Sequence, residues 1–562
     1  MAKVYSPLIA IVSYAVLICL HLKAVVSMLF SASISTTAQL SVHLSPTTDC
    51  AKAVAVSADR RRRDMLVIVF NLFEVGFQSH QAHAMFKTCV EPAKVMSYGL
   101  AVALYSFASP LFLFVRSVRA KTTLLNFADA FVSFTLSTGH PLFSLVITVF
   151  HYVVVEPSLS QDNLSATRSM LLTRRLVPSS AFDTMCKLGM HLGTYIALGQ
   201  AHAATQLLKS RKLSTTPFLH NPAESHNRWL LRLNLGINSG WAVVLVVSMS
   251  VALSGLRTPC PVYCLAESSP LWDLTCQCAY ANVNCVKLGI DDPLPLLSPQ
   301  LLGASLFYLQ ISRCAVPNGL PPSTLAPFSN LGKVAILFSN LSTWDGPLPP
   351  SVANLSLRFS SVLQTIPNVL QGKDLSPHLV VVVIEGCRLG EIPPIVLASW
   401  TNVIYLSLIN VSLATYPTGL SKLPDLENLN LKLNSITSLP DSLASPFELP
   451  NLKTVKLSWN QLTQVPESLA MRSKVLLQLI GNPIESAENT SGTALQNRKV
   501  QLDGTPFCLH ATPEIASACR PVCGHGCAEE WIGDHYCDWA CFIKACDYDG
   551  GDCDEFGFER ST

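Results

Sequence analysis

Two patterns of hydrophobic and polar positions divide the 562-residue chain. Up to about residue 256 apolar residues come in long unbroken runs. Beyond about 300 they alternate inside short segments punctuated by proline, glycine and asparagine. The clearest run, Leu235 to Leu256, has 22 residues and no charge, enough for a helix to cross a bilayer. Lys209, Arg211, Lys212, Arg228 and Arg232 precede it, and Arg257 and then cysteines follow. The bias of basic residues toward the cytosol predicts that the chain leaves the cytosol here. Met96 to Val115 is a second uncharged run, ending at Arg116 and Arg119. Thr122 to Val155 is apolar but carries Asp129 and is interrupted by His140-Pro141. A charge at mid-membrane costs about 2.5–3.5 kcal/mol, so Asp129 should face other helices or water. As one span this run would put the Arg116–Lys121 loop and the basic 168–212 stretch on opposite sides. As two short spans, or a re-entrant hairpin, it leaves both cytosolic, and this second arrangement is the expectation. The stretch 8–30, with its apolar start Leu8 to Leu20, is a signal peptide or an anchor. Arg60 to Arg63 reads as a cytosolic membrane flank, and Gly189 to Ala204 is too mixed to assign.

In the second half the alternation repeats. Leu426 to Pro440 reads LENLNLKLNSITSLP, and Leu452 to Pro466 reads LKTVKLSWNQLTQVP. Both follow L-x-x-L-x-L-x-x-N-x-L-x-x-L-P, the signature of the leucine-rich repeat. The first apolar triplet predicts a short strand on a concave face. The asparagine turns inward, where its amide can satisfy backbone groups. Each repeat buries its leucines only by stacking on neighbours. Cys387 in VVIEGCRLGEIP and Cys314 in LFYLQISRCAV stand where asparagine stood and are expected to be buried free thiols. Val411 takes that place in one copy and Asn482 closes the series, while copies near 337 and 357 are degenerate. The register predicts seven or eight repeats of roughly 22–27 residues.

Composition sharpens the division. The chain is 49% hydrophobic and only 14% charged, against about 25% charged in an average soluble protein, so part of it should lie in a membrane. A formal charge of +2 excludes a nucleic-acid binder acting through bulk charge. Of the 19 cysteines, only Cys19, Cys50, Cys89 and Cys186 precede residue 257, which predicts an oxidising, extracytoplasmic C-terminal half. Four glycosylation sequons, at Asn340, Asn354, Asn410 and Asn489, lie in that half. The five cysteines from Cys260 to Cys285 resemble the N-terminal flank of extracellular leucine-rich repeat proteins, and an odd number leaves one without a partner inside the flank. Cys508 and Cys519 are expected to close the far end.

Six further cysteines, Cys523, Cys527, Cys537, Cys541, Cys546 and Cys553, occupy 31 residues. So short a segment cannot build a hydrophobic core and needs disulfides or a metal. Its ending, CDYDGGDC, fails as an EF-hand: counted from Asp547, Asp552 stands where the central glycine belongs and Phe558 where the closing glutamate belongs. Zinc is disfavoured because oxidised cysteines are poor ligands and the remaining groups are hard carboxylates. The run CGHGCAEEWIGDHYCDWACFIKACDYDGGDC resembles the Notch-type repeat (LNR). That resemblance implies the pairs Cys523–Cys546, Cys527–Cys541 and Cys537–Cys553. It also implies one structural calcium ion held by Asp534, Asp549 and Asp552, with Asp538 as a further candidate and backbone carbonyls completing the shell. Hard oxygens and a glycine turn suit calcium, with an affinity in the range of roughly 0.1–1 mM for extracellular modules. Phe542 departs from the family pattern, which often has asparagine there.

The reading is therefore an α/β leucine-rich repeat solenoid as ectodomain with a small disulfide-rich calcium-binding module, preceded by an α-helical multi-span membrane region. The expected boundaries are 1–256 helical membrane region, 257–299 cysteine-rich cap, 300–485 repeats, 486–520 C-terminal cap and 521–555 terminal module. The combination resembles membrane-anchored leucine-rich repeat proteins with a terminal Notch-type repeat found in oomycetes. It implies a multi-pass protein of the plasma membrane or endomembranes, with its C-terminal half extracellular or lumenal. Such a protein would bind an extracellular protein or glycan on the concave face as a receptor or adhesion protein. Membrane lipid and a membrane co-receptor are the further partners, with no nucleic acid. Catalysis is not expected: Notch-type repeats decorate some phosphotransferases and metalloproteases, yet no H-E-x-x-H, G-x-S-x-G or Walker A sequence is present. The alternative is a transporter or channel-like protein with Asp129 on its path and the ectodomain as regulator.

Overall fold

The computed structural model describes Lys23 and residues 49–112, 131–176, 180–210, 228–444, 448–488 and 490–560. The stretch 8–30, except Lys23, and the residues Arg116, Arg119, Asp129, Arg211, Lys212 and Asn489 lie outside the described residues. Two compact bodies emerge. One holds the helices up to Val155, Arg168–Thr258 and Ser268–Leu274. The other holds Glu156–Thr167, Pro259–Glu267 and everything from Thr275 onward.

The helical body contains α1 (Asp49–Thr88), α2 (Pro92–Phe112), α3 (Phe131–Val155), α5 (Ala181–Ser210), α6 (Arg228–Leu253) and the later part of α4 (Asn163–Leu176). Among the described residues, two helices are long and apolar enough to cross a membrane: α3, and α6 from Arg232. Both present large apolar side chains outward, with Phe143 67%, Val153 66% and Val243 61% exposed. The interior is cross-linked by small polar groups: Asn71 donates to Ser109 at 2.9 Å and Trp241 to Ser79 at 2.8 Å.

The expected break at His140-Pro141 does not occur. Thr135–Gly139 forms a π-turn and α-helix resumes at His140. Proline ordinarily clashes with the carbonyl four residues earlier. A π-turn inserts one extra residue per turn and relieves the crowding, so Phe131–Val155 is one helix across the position where a break was expected.

The second body is built on an eleven-stranded sheet in consecutive order. A short hairpin, β1 (Cys264–Glu267) antiparallel to β2 (Cys278–Asn284), opens it. Parallel strands follow: β3 (Tyr308–Ser312), β4 (Lys333–Leu337), β5 (Asn354–Arg358), β6 (Val381–Glu385), β7 (Tyr405–Ile409), β8 (Asn428–Asn430), β9 (Thr454–Lys456), β10 (Leu476–Gln478) and β11 (Val500–Gln501). The copies near 337 and 357 are therefore full repeats in register. Within each strand the leucine-type positions, such as Leu309 and Ile311 or Leu406 and Leu408, point into one continuous core and are fully buried.

The inward asparagines work as a ladder. The Asn434 amide donates to the Leu408 carbonyl at 2.8 Å, and its oxygen accepts from the N–H groups of Val411 and Leu413 at 3.1 Å. Asn460 and Asn482 repeat the arrangement one and two copies later. Immediately before the ladder position, every repeat from β3 to β10 places one residue in the left-handed region: Arg313, Phe338, Phe359, Gly386, Asn410, Leu433, Trp459 and Gly481. Only glycine adopts this without strain, so six side chains and a further pair of glycines form a ridge along the sheet's edge.

Cys314 is not a free thiol. It pairs with Cys285, so the odd cysteine of the flank is joined to the first repeat, and Cys260–Cys276 and Cys264–Cys278 complete the cap. Cys508–Cys519 closes the other end. Cys387, at the equivalent ladder position, is free and buried. Opening a native disulfide costs about 2–4 kcal/mol, so Cys314→Ala should lower the denaturation midpoint under oxidising conditions. The difference from the parent should vanish in reductant; equal midpoints in both conditions would show that the bond does not form.

Candidate metal centre and the face it covers

The terminal module has almost no regular structure: a small ribbon of β12 (Val522–Gly524) and β13 (Cys527–Ala528), then short 3-10 turns. Its frame is covalent, with Cys523 joined to Cys546, Cys527 to Cys541 and Cys537 to Cys553. Between the last two cysteines the backbone runs left-handed for five residues, with φ of 49° at Asp547, 51° at Tyr548, 62° at Asp549, 61° at Gly550 and 97° at Gly551. Two of the five are glycines; the other three hold a conformation costing roughly 1–2 kcal/mol per residue. The turn leaves Asp549 fully buried, with Asp552 at its exit.

Backbone N–H groups aim at the acids. Asp538 N–H donates to Asp549 Oδ2 at 2.8 Å, His535 N–H to Asp552 Oδ2 at 2.9 Å, and Tyr536 N–H to Asp534 Oδ1 at 3.0 Å. Asp549 Oδ1 has no partner although it is wholly buried. A buried carboxylate oxygen left bare is costly. Burial pushes the Asp549 carboxyl up to about 8, and the charges of Asp538, Asp552 and Asp534 add to the effect. Burial and Asp538 push Asp534 up to about 6, and Asp552 is raised by burial as well. Three acids that resist ionising, one with an orphaned oxygen, fit a hard divalent cation bound through oxygen. Two sulfurs, of Cys537 and Cys553, also lie close to Asp549. They are bonded to each other and offer no thiolate to a softer metal.

Asp538 is committed elsewhere. Its Oδ1 meets Lys432 Nζ at 3.1 Å, and that amine also lies 3.7 Å from the Trp531 ring centre. Lys432 belongs to the repeats, and this contact is one of many. Arg358, at the end of β5, binds Glu385 of β6 at 2.6 Å and donates to the Cys537 carbonyl at 2.6 Å, while its guanidinium lies 4.2 Å from the Tyr536 ring. Tyr536 donates to Glu385 Oε2 at 3.2 Å. Beyond the last cysteine, Glu555 accepts from Asn282 and Gln310, and Arg313 donates to the carbonyls of Phe556 and Gly557. On the ridge, Phe338 packs against Trp539, Phe556 and Phe558, and Trp459 against Trp531. Phe542, the departure from the family pattern, stacks on Trp539 at 5.1 Å and 13°.

The module thus folds back over the concave face of its own solenoid. Concave positions at the C-terminal end of the strands are shut: Leu337, Arg358, Glu385, Ile409, Lys432, Ser458 and Ile480 are all buried. The first positions, Asn354, Val381, Tyr405, Asn428 and Thr454, stay half-buried. This corrects the expectation of an open concave surface. Charged residues within strands and aromatics at left-handed positions were the available signal. Among the sequons, Asn340 and Asn410 are exposed, and Asn354 stands on the half-open column.

Residues 517–554 match the family model described as the LNR domain of Notch. The module is an LNR domain, carried on a leucine-rich repeat solenoid. Over 33 residues the chain is 61% identical to the N-acetylglucosamine-1-phosphotransferase subunits alpha/beta of Mus musculus and of Homo sapiens, covering 6% of this chain and 3% of each relative. The chain therefore spans about 3% of the length of those curated relatives. Among solved structures, human 5T4 (trophoblast glycoprotein) aligns at 20% identity and TM-score 0.30, over 36% of this chain and 79% of that one. Toll, solved in the Toll–Spatzle complex of Drosophila, aligns at 21% identity and TM-score 0.28, over 37% and 27%.

Proposed function

We propose that the chain is a membrane-anchored recognition protein whose ectodomain binds an extracellular protein or glycan along the N-terminal column of its concave strands. The observation that carries this reading is the unevenly covered sheet. Asn354, Val381, Tyr405, Asn428 and Thr454 stand side by side on consecutive parallel strands and are only half-buried. Neighbouring strands lie about 4.8 Å apart, so the column sets the Asn428 amide and the Thr454 hydroxyl beside the Tyr405 ring. Such residues suit hydrogen bonding around an aromatic contact. The two long apolar helices and the oxidised cysteines support membrane anchoring with this body outside the cytosol. A transporter would have to conduct; ion flux unchanged by Asp129→Asn would exclude that role for Asp129.

The LNR domain, on this reading, holds one calcium ion through Asp534, Asp549 and Asp552. The ion supplies positive charge to carboxyl groups that burial otherwise keeps from ionising. Its role is structural, keeping the left-handed turn and the cover in place.

The strip is tested with the full chain in lipid nanodiscs, offered to glycan and extracellular-protein arrays beside Tyr405→Ala and Asn428→Ala. Truncating an aromatic anchor costs about 2 kcal/mol or more, so Tyr405→Ala should weaken any ligand found at least tenfold. Undiminished binding by both variants would remove the strip from the site.

A further inference from the structure

The segment Glu156–Thr167 separates α3 from the rest of α4 in sequence, yet it belongs to the solenoid body. Three of its side chains are committed there. Glu156 Oε1 meets His535 Nε2 at 3.0 Å, the Gln161 amide donates to Asp534 Oδ2 at 2.9 Å, and Asn163 Oδ1 accepts from Lys333 Nζ at 2.7 Å. Asp162 caps the first turn of α4 by accepting from the Ser165 N–H at 2.7 Å. Lys333 lies on β4 with its amine 4.2 Å from the Tyr308 ring centre. Burial pushes that amine down to about 8, as expected for an ammonium whose direct polar partner is a neutral amide. The segment thus spans both parts of the cover, touching the repeats through Asn163 and the LNR acids through Gln161.

We propose that Glu156–Thr167 is an intramolecular ligand of the ectodomain: an extracytoplasmic loop captured by the concave face and the LNR domain. Capture requires the loop to share the compartment of the disulfide-bonded body. The helix ending at Val155 then ends on the extracytoplasmic side, and the basic residues from Arg168 onward begin there. This overrides the arrangement expected from basic-residue counts, which set orientation only as a bias. Because Gln161 binds an acid of the metal centre, loss of the ion should loosen the loop. That arm alone rests on the calcium reading.

The test uses the full chain in sealed membranes. Lys333 acetylation by a membrane-impermeant amine reagent is followed by mass spectrometry and normalised to Lys453, whose side chain is 61% exposed. In the parent, Lys333 should react slowly. In Glu156→Ala/Gln161→Ala/Asn163→Ala it should react at least tenfold faster with Lys453 unchanged, in the presence of calcium. Equal Lys333 rates would overturn capture. Independently of whether the triple variant folds, Ser160→Cys should take up an impermeant maleimide in the same preparations that leave Lys453 open. Labelling of Ser160→Cys only after permeabilisation would overturn the proposal. If the loop variant exposes Lys333 while chelation does not, capture stands and the calcium reading falls.

Discussion

Adding calcium to the metal-free chain is expected to slow amide exchange at His535, Tyr536 and Asp538, the three N–H groups that donate to the acidic centre. Ligand at a hundredfold excess over Kd stabilises the bound form by about 2.7 kcal/mol, or roughly a hundredfold in exchange rate. Asp549→Ala should abolish the effect. Asp549→Asn should abolish it too, while leaving the metal-free module at least as stable as the parent, because it removes a carboxyl that resists ionising. The pH dependence follows from the direction of the shifts. Asp549 and Asp534 titrate higher in the folded chain, near 8 and 6, than an ordinary aspartate. The unfolded state therefore ionises first, and the metal-free module loses stability as pH rises from about 4 toward 8. Calcium favours the ionised form and should flatten or reverse that slope. Exchange rates indifferent to calcium in the parent would return the cluster to a plain disulfide-bound turn.

Arg358→Ala is expected to be the most damaging single change in the repeats. It leaves Glu385 buried without its cation and takes the donor from the Cys537 carbonyl. Breaking one side of a buried pair typically costs about 3–5 kcal/mol. The loss should appear as undocking of the LNR domain, seen as faster proteolysis of the final 40 or so residues, with the solenoid sheet intact. A double variant, Arg358→Met/Glu385→Leu, removes both charges and should recover most of the docking. If Arg358→Ala leaves proteolysis unchanged, the contact is not what holds the cover.

Much of this architecture was legible because it repeats or because its spacing is dense. The L-x-x-L-x-L register locates the core, since every copy must bury the same positions against its neighbours. The cysteine spacing of the last segment marks the LNR domain for the opposite reason: a chain with no core must write its frame in covalent bonds. Non-periodic features were hidden. Cys314 sits where the repeat accepts a small buried residue, so register alone could not distinguish a thiol from a half-cystine. His140-Pro141 carries a breaker's signature, but a π-turn upstream absorbs the proline, and that depends on backbone detail rather than residue type. The cover escaped because its contacts, Arg358 to Cys537, Lys432 to Asp538 and Phe338 to Phe558, join residues more than a hundred positions apart. Each half of such a pair looks like an ordinary surface residue on its own.

The ridge of left-handed residues bears on how the protein matures. Phe338, Phe359 and Trp459 are strained, bulky and set along one edge, and the LNR domain is what covers them. Until the last cysteines are paired, a newly made chain would leave that row of rings uncovered. Contiguous exposed rings are an aggregation liability, so the solubility of the whole solenoid would depend on its final 40 or so residues. A truncation there would read as aggregation of the whole body rather than as a local loss.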